Sequence, residues 1–145
     1  MSTINKTTAS YWLVPHNPKY YDLEGALLAN NKEVFWKNDK HSLQTGDTVF
    51  IYVTSPEKRI KYMMTVAEDG IEKSQIPTHL HGFWNNMEMF NKTSIYCRLK
   101  LEIEMIGDAL SREHLKEHGL KGNIQGSQTV KSEQLLEYIL VALKK

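Results

Sequence analysis

The chain has 145 residues, 41% hydrophobic and 24% charged, with 18 Lys and Arg against 17 Asp and Glu, a formal net charge of +1. This is ordinary globular composition for one domain, and it excludes wholesale disorder and a histone-like binder held by bulk positive charge. The lone cysteine, Cys97, excludes an internal disulfide framework and a cysteine-built zinc site, and it fits a reducing compartment. No apolar run approaches the roughly 20 residues a membrane helix needs, and the polar start lacks a signal-peptide core. The expectation is a cytoplasmic protein without membrane contact, residues 1–9 forming a loose arm and residues 10–145 a single domain.

In chain order, Tyr11-Trp12-Leu13-Val14 is short, aromatic and β-branched and reads as a first strand, bounded by Pro15 and Pro18. Leu23, Ala26 and Leu27 then recur at helical spacing up to a stop at Asn30-Asn31, and Gly25 weakens that helix by about 1 kcal/mol relative to Ala. Residues 33–37 are a strand or an extended loop. Thr45-Gly46-Asp47 is a turn signal feeding residues 48–54, an apolar run of the kind covered on both faces. After a turn at residues 55–58, residues 60–67 return as a hairpin strand.

The clearest pattern lies at residues 95–105. Ile95, Cys97, Leu99, Leu101, Ile103 and Met105 alternate with Tyr96, Arg98, Lys100, Glu102 and Glu104, which predicts the longest strand of the fold, with one wet face and Cys97 in the core. Two helices close the chain. Ser111 is a predicted N-cap and Gly119 a predicted C′ residue of the first. Leu135, Leu136, Ile139, Leu140 and Leu143 form the buried stripe of the second. The count is about five strands and three helices. The fold class is α+β: a small, strongly curved, mostly antiparallel β-barrel or sheet with helices packed around it.

The chemistry is as telling for what is missing. No Walker loop, GxGxxG, GxSxG or HExxH occurs. His79 and His81 would share a face if they lie on a strand, and His114 and His118 are spaced i, i+4 on a helix. No acidic residue or further His stands close to the first pair, and nothing marks the second, which has Glu113 and Glu117 beside it, as a zincin, so solvated or capping histidines are preferred and no cofactor is expected. Trp12, Trp36 and Trp84 stand outside the helical stripes. Trp36 precedes Lys37 and Asn38, and Trp84 precedes Asn85 and Asn86, so rings that stack on a planar base have amides beside them to read its edge. Lys32, Lys37, Lys40, Lys58, Arg59 and Lys61 outnumber Glu33, Asp39, Asp47 and Glu57 across residues 31–61, a faint footprint for a phosphate backbone.

Taken in order, four stretches resemble the EVE domain of the PUA-like superfamily, which is related to the YTH modified-base readers. They are Tyr11-Trp12-Leu13-Val14, Phe35-Trp36-Lys37, the turn and strand from Thr45 to Tyr52, and Ser94 to Ile106 followed by the loop from Leu120 to Gly126. The chain departs from the standalone EVE pattern at Pro15-His16-Asn17-Pro18. The resemblance implies a reader that accepts a flipped base in a cleft between aromatic rings, with Trp36 as the stacking ring.

The favoured function is a non-enzymatic module that binds DNA or RNA through a modified or flipped base and works with an effector protein. Trp36 and Trp84 would be its walls, with Trp12 a further ring and Asn38 an edge reader. Gln125 and Gly126 would border the cleft, and Lys37, Lys40 and Arg59 would meet phosphates. Two rival functions are a small enzyme acting on nucleotides or nucleic acid, with His79, His81 and Asp47 as its acid/base groups, and a partner-binding domain using the last helix.

Overall fold

The computed structural model describes residues 9–144. All of the expected terminal arm except residue 9 lies outside them. Six strands form one sheet: β1 (Tyr11–His16), β2 (Glu33–Lys37), β3 (Thr48–Val53), β4 (Arg59–Glu72), β5 (Ile95–Glu104) and β6 (Gln128–Thr129). Four helices accompany them: α1 (Leu23–Ala29), α2 (Met87–Lys92), α3 (Arg112–Glu117) and α4 (Glu133–Leu143). The strand order is β2-β5-β4-β3-β1-β6.

The form of the sheet is narrowed here, and one expectation is corrected. The order is linear and ends at β2 and β6, so the sheet is not closed into a barrel. It is also mixed, because β1 pairs with β3 in parallel over six residues while β2 with β5 and β1 with β6 are antiparallel. The longest strand is β4 with 14 residues, against 10 for β5. Past Ala67, β4 runs through the polar Glu68-Asp69-Gly70, where no apolar alternation marks a strand, before burying Ile71. Side-chain bonds hold that polar stretch: Asp69 accepts from the Thr45 amide at 2.8 Å, and Glu68 pairs with Arg98 at 3.3 Å.

Two compact units divide the chain, and β4 and β5 run through both. The first contains residues up to 16, 48–64 and 102–145; the second contains residues 17–47 and 65–101. In the first unit β1 extends through Pro15 to His16. Its Ser10 and His16 carbonyls accept from the Thr48 and Thr54 amides of the β3 chain, so alternation turns Pro15 to the other edge, beyond the two residues that β6 covers. The missing proline N–H therefore breaks no ladder bond. Leu13, Phe50, Ile60, Leu115, Leu135 and Ile139 form this unit's core, which joins β1, β3 and β4 to the striped face of α4. Ser111 caps α3, and Gly119 takes φ +115, as its place one residue past the C-cap requires.

In the second unit α1 begins at Asp22, whose carboxylate accepts from the Gly25 amide at 3.0 Å. A Cβ on Gly25 would run into that same carboxylate, so this glycine serves the cap rather than merely weakening the helix. Residues 73–92 were not legible as structure in the sequence. They form two 3-10 turns, Lys73–Gln75 and Thr78–Phe83, and then α2. Their apolar residues bury Tyr96, which sequence alternation had placed on the wet face of β5.

Candidate nucleic-acid interface

In the second unit, β2 pairs with β5 so that Trp36 stands opposite Cys97, and Trp36 is 9% exposed. Tyr21, just before the cap of α1, bridges to Trp84 at the end of the second 3-10 turn. Backbone bonds pin the two segments together: the Asp22 amide donates to the Phe83 carbonyl at 2.8 Å, and the Asn85 amide to the Tyr20 carbonyl at 2.9 Å. The ring of Tyr21 meets Trp36 edge-on, with centroids 6.1 Å apart, and lies 4.7 Å from Trp84. Trp84 also lies 4.6 Å from Phe90 and meets Tyr96 edge-on at 5.9 Å.

The structure thus brings the two predicted tryptophans into one set of rings, linked by Tyr21. Sequence reasoning missed Tyr21 as a site residue; the Tyr20-Tyr21 pair ahead of a capping Asp was the available signal. Trp84 is half-buried although three rings touch it, whereas Tyr21 and Trp36 are buried. Burial raises the Tyr21 phenol well above its ordinary range, with Asp22 and then Tyr96 adding to the effect, so it remains a neutral donor at physiological pH. Burial also pushes Tyr96 up to about 12, and its hydroxyl donates to the Phe90 carbonyl at 3.1 Å.

Five predicted residues lie in this unit: Trp36, Trp84, Asn38, Lys37 and Lys40. Asn38 is buried and closes the loop of residues 38–43. Its Nδ2 donates to the Leu43 carbonyl at 2.8 Å, and its Oδ1 accepts from the Leu43 amide at 3.1 Å. Lys37 and Lys40 are exposed, and neither ammonium has an ion-pair partner among the described residues. Asn85, directly after Trp84, is exposed, and its side-chain amide has no partner among the described residues.

Trp12, Arg59, Gln125 and Gly126 lie in the first unit. Trp12 is half-buried in β1, paired with Val49 and Thr129. Arg59 is engaged: it pairs with Glu57 at 3.1 Å and donates to the Met105 and Gly107 carbonyls at 2.7 and 3.2 Å. Gln125 and Gly126 are exposed in the loop before β6. Farther back in that loop, Asn123 and Ile124 line a cleft of about 270 Å³ together with Lys58 and Arg112.

Three of the four paired histidines take structural places, and His79 is exposed. His79 and His81 lie on a 3-10 turn and not on a strand, so alternation does not align them. His81 Nε2 bonds the Ile76 carbonyl at 3.0 Å, and the ring packs on Phe90 at 4.7 Å. His114 Nδ1 lies 2.8 Å from Ser111 Oγ, and His118 stacks flat on Tyr138 at 3.6 Å. Among the described residues no three His, Cys, Asp or Glu side chains gather to hold a metal. None of their helices is long and apolar enough to cross a membrane.

The EVE domain family model matches residues 10–137. Solved structures share the fold at low identity. A hypothetical protein from Leishmania major aligns with TM-score 0.61 and 15% identity, covering 95% of this chain and 96% of that one. ASCH from Zymomonas mobilis aligns at 0.60 and 11%, covering 91% and 94%. A protein from Pseudomonas putida aligns at 0.60 and 17%, covering 94% and 100%. No curated protein matches this chain.

Proposed function

Because this chain belongs to the EVE domain family, we propose that it is a nucleic-acid-binding module that receives one extruded or modified base and performs no chemistry on it. An EVE domain on an ASCH-like fold is consistent with a nucleic-acid-related role. The observation that carries the finer reading is Trp84, a ring fixed by Tyr21, Phe90 and Tyr96 and yet only half-buried. A preorganised, accessible indole loses little freedom when a base stacks on it.

The energetics favour a single base. Extrusion costs a few kcal/mol, and one aromatic stack returns about 1–3 kcal/mol, so edge hydrogen bonds must supply the rest. Asn85 takes the edge-reading role, because the amide of Asn38 is committed to the Leu43 backbone. Tyr21 and Trp36 back the stacking ring. Lys37 and Lys40 meet phosphates, which gives a shallow salt slope of about 1.4 for two contacts on a single strand. A buried methyl adds about 0.8 kcal/mol, so preference for a modified base rests on a dry apolar wall. A reader without chemistry of its own acts by recruiting an effector protein.

Fluorescence titration at low salt, with single-stranded DNA and RNA carrying or lacking methylated cytosine or adenine, tests this. Trp84→Ala is expected to weaken binding by about 1–3 kcal/mol while the melting temperature falls only modestly. Failure of every oligonucleotide to bind would overturn the reading, and turnover of any of them would replace it with the enzyme.

A further inference from the structure

We infer that the cleft of the first unit is a separate ligand site, which takes the phosphate monoester of a small nucleotide on Lys58 and Arg112. The cleft holds about 270 Å³, just below the usual range for drug-sized ligands and suited to a mononucleotide. Tyr52 from β3, Ser55 and Lys58 from the following turn, Arg112 from α3, and Asn123 with Ile124 from the later loop line it. No carboxylate does.

The two cations are placed by backbone, not left to surface chance. The Arg112 amide donates to the Lys58 carbonyl at 2.9 Å, which ties the two residues together. Lys58 is held at φ +53, a left-handed conformation uncommon outside glycine and asparagine. Arg112 Nη2 donates to Asn123 Oδ1 at 2.7 Å, so a neutral amide aims the guanidinium and leaves its charge uncompensated. The Lys58 ammonium has no acidic partner among the described residues. The neighbouring cations differ, since Arg59 and Lys61 both pair with Glu57.

Two positive charges without an acid between them match a dianionic monoester better than a singly charged diester. Tyr52 and Ser55 supply neutral hydroxyl donors. Burial raises the Tyr52 phenol above its ordinary range against the opposing pull of Arg112, with Glu113, a carboxylate that does not line the cleft, adding to the rise, so the hydroxyl keeps its proton. Ile124 offers apolar surface to the nucleoside at the cleft wall.

Calorimetric titration with inorganic phosphate, adenosine and adenosine monophosphate tests the site. The monophosphate should bind at least tenfold more tightly than adenosine. Lys58→Asn, which tolerates the left-handed backbone, and Arg112→Gln should each weaken it at least tenfold. Trp84→Ala should leave it unchanged, which separates this site from the base-reading rings. Oligonucleotides with a 5′-phosphate or a 5′-hydroxyl identify the source. Competition by the phosphorylated strand alone assigns the site to a strand end, and competition by neither assigns it to a free nucleotide. Equal binding of adenosine and its monophosphate, binding that survives both substitutions, or equal competition by the two strands would overturn the proposal.

Discussion

The two units bury their cores by different means. In the first, mainly aliphatic side chains, with Phe50 and Tyr52 of β3 among them, pack on two capped helices, and the eleven-residue α4 supplies one continuous stripe. In the second, Phe90, Trp84 and their neighbours cover Tyr96 of β5, carried on 3-10 turns and a six-residue helix. Aliphatic packing on regular elements makes a closed scaffold. Rings on short irregular segments keep polar handles and partly exposed edges, and so the candidate base-reading surface arises in the second unit.

The largest effects should come from the cores themselves. Phe90→Ala removes a ring that touches Trp84, Tyr96 and His81, and is expected to cost about 3–5 kcal/mol. Ile139→Ala in α4 should cost about 2–5 kcal/mol. Denaturant unfolding checks both. If the second unit depends on its rings, Phe90→Ala abolishes oligonucleotide binding, whereas Ile139→Ala preserves binding wherever the protein stays folded.

Gly25→Ala sharpens the contrast, because helix propensity and structure disagree about its sign. Propensity predicts a gain of about 1 kcal/mol. The added Cβ displaces the Asp22 carboxylate from its cap, a loss of about 0.5–2 kcal/mol, and crowds the Phe83 ring at 3.0 Å, so the propensity gain is offset and a net loss of up to about 1 kcal/mol is expected on melting.

Cys97 reports on the interior of the second unit. It is fully buried, and desolvation pushes its thiol up to about 12, with Asp69 raising it further. An uncharged maleimide should therefore react only as fast as the protein unfolds. The sign of the pH effect follows. The unfolded thiol ionises near 9.0, so stability from this group is full below that pH and is lost as pH rises toward about 12. Tyr21 and Tyr96 add a loss of the same sign above pH 10. Between pH 9 and 10, stability should fall more steeply in wild type than in Cys97→Ser.

The smallest effect belongs to Arg98, which pairs with Glu33 at 3.1 Å and Glu68 at 3.3 Å. These pairs are partly exposed, so Arg98→Met should cost no more than about 1 kcal/mol, and less at high salt.

Regular elements were legible wherever a period or a cap signals them. β5 appears where its alternation was read, though Tyr96 is buried; α4 buries Leu135, Ile139 and Leu143 of its stripe; and Ser111 with Gly119 bounds α3 as read. The parallel pairing of β1 with β3 was hidden, because a six-residue strand carries no mark of its partner's direction. The helix at Met87–Lys92 and the 3-10 turn holding His79 and His81 are too short to show a period. Among site residues, the aromatic character of Trp36 and Trp84 was readable, but not their joining through Tyr21, which depends on backbone pairing of residues 20–22 with 83–86. The commitment of Asn38 to Leu43 and of Arg59 to the carbonyls of residues 105 and 107 is equally tertiary.

One measurement tests the central claim directly. The three indole N–H signals of Trp12, Trp36 and Trp84 can be followed by NMR while a single-stranded oligonucleotide carrying a methylated base is added. The account predicts that Trp84 shifts most and Trp36 less, while Trp12 in the first unit stays in place. A Trp84 signal that does not move while the oligonucleotide binds would contradict it.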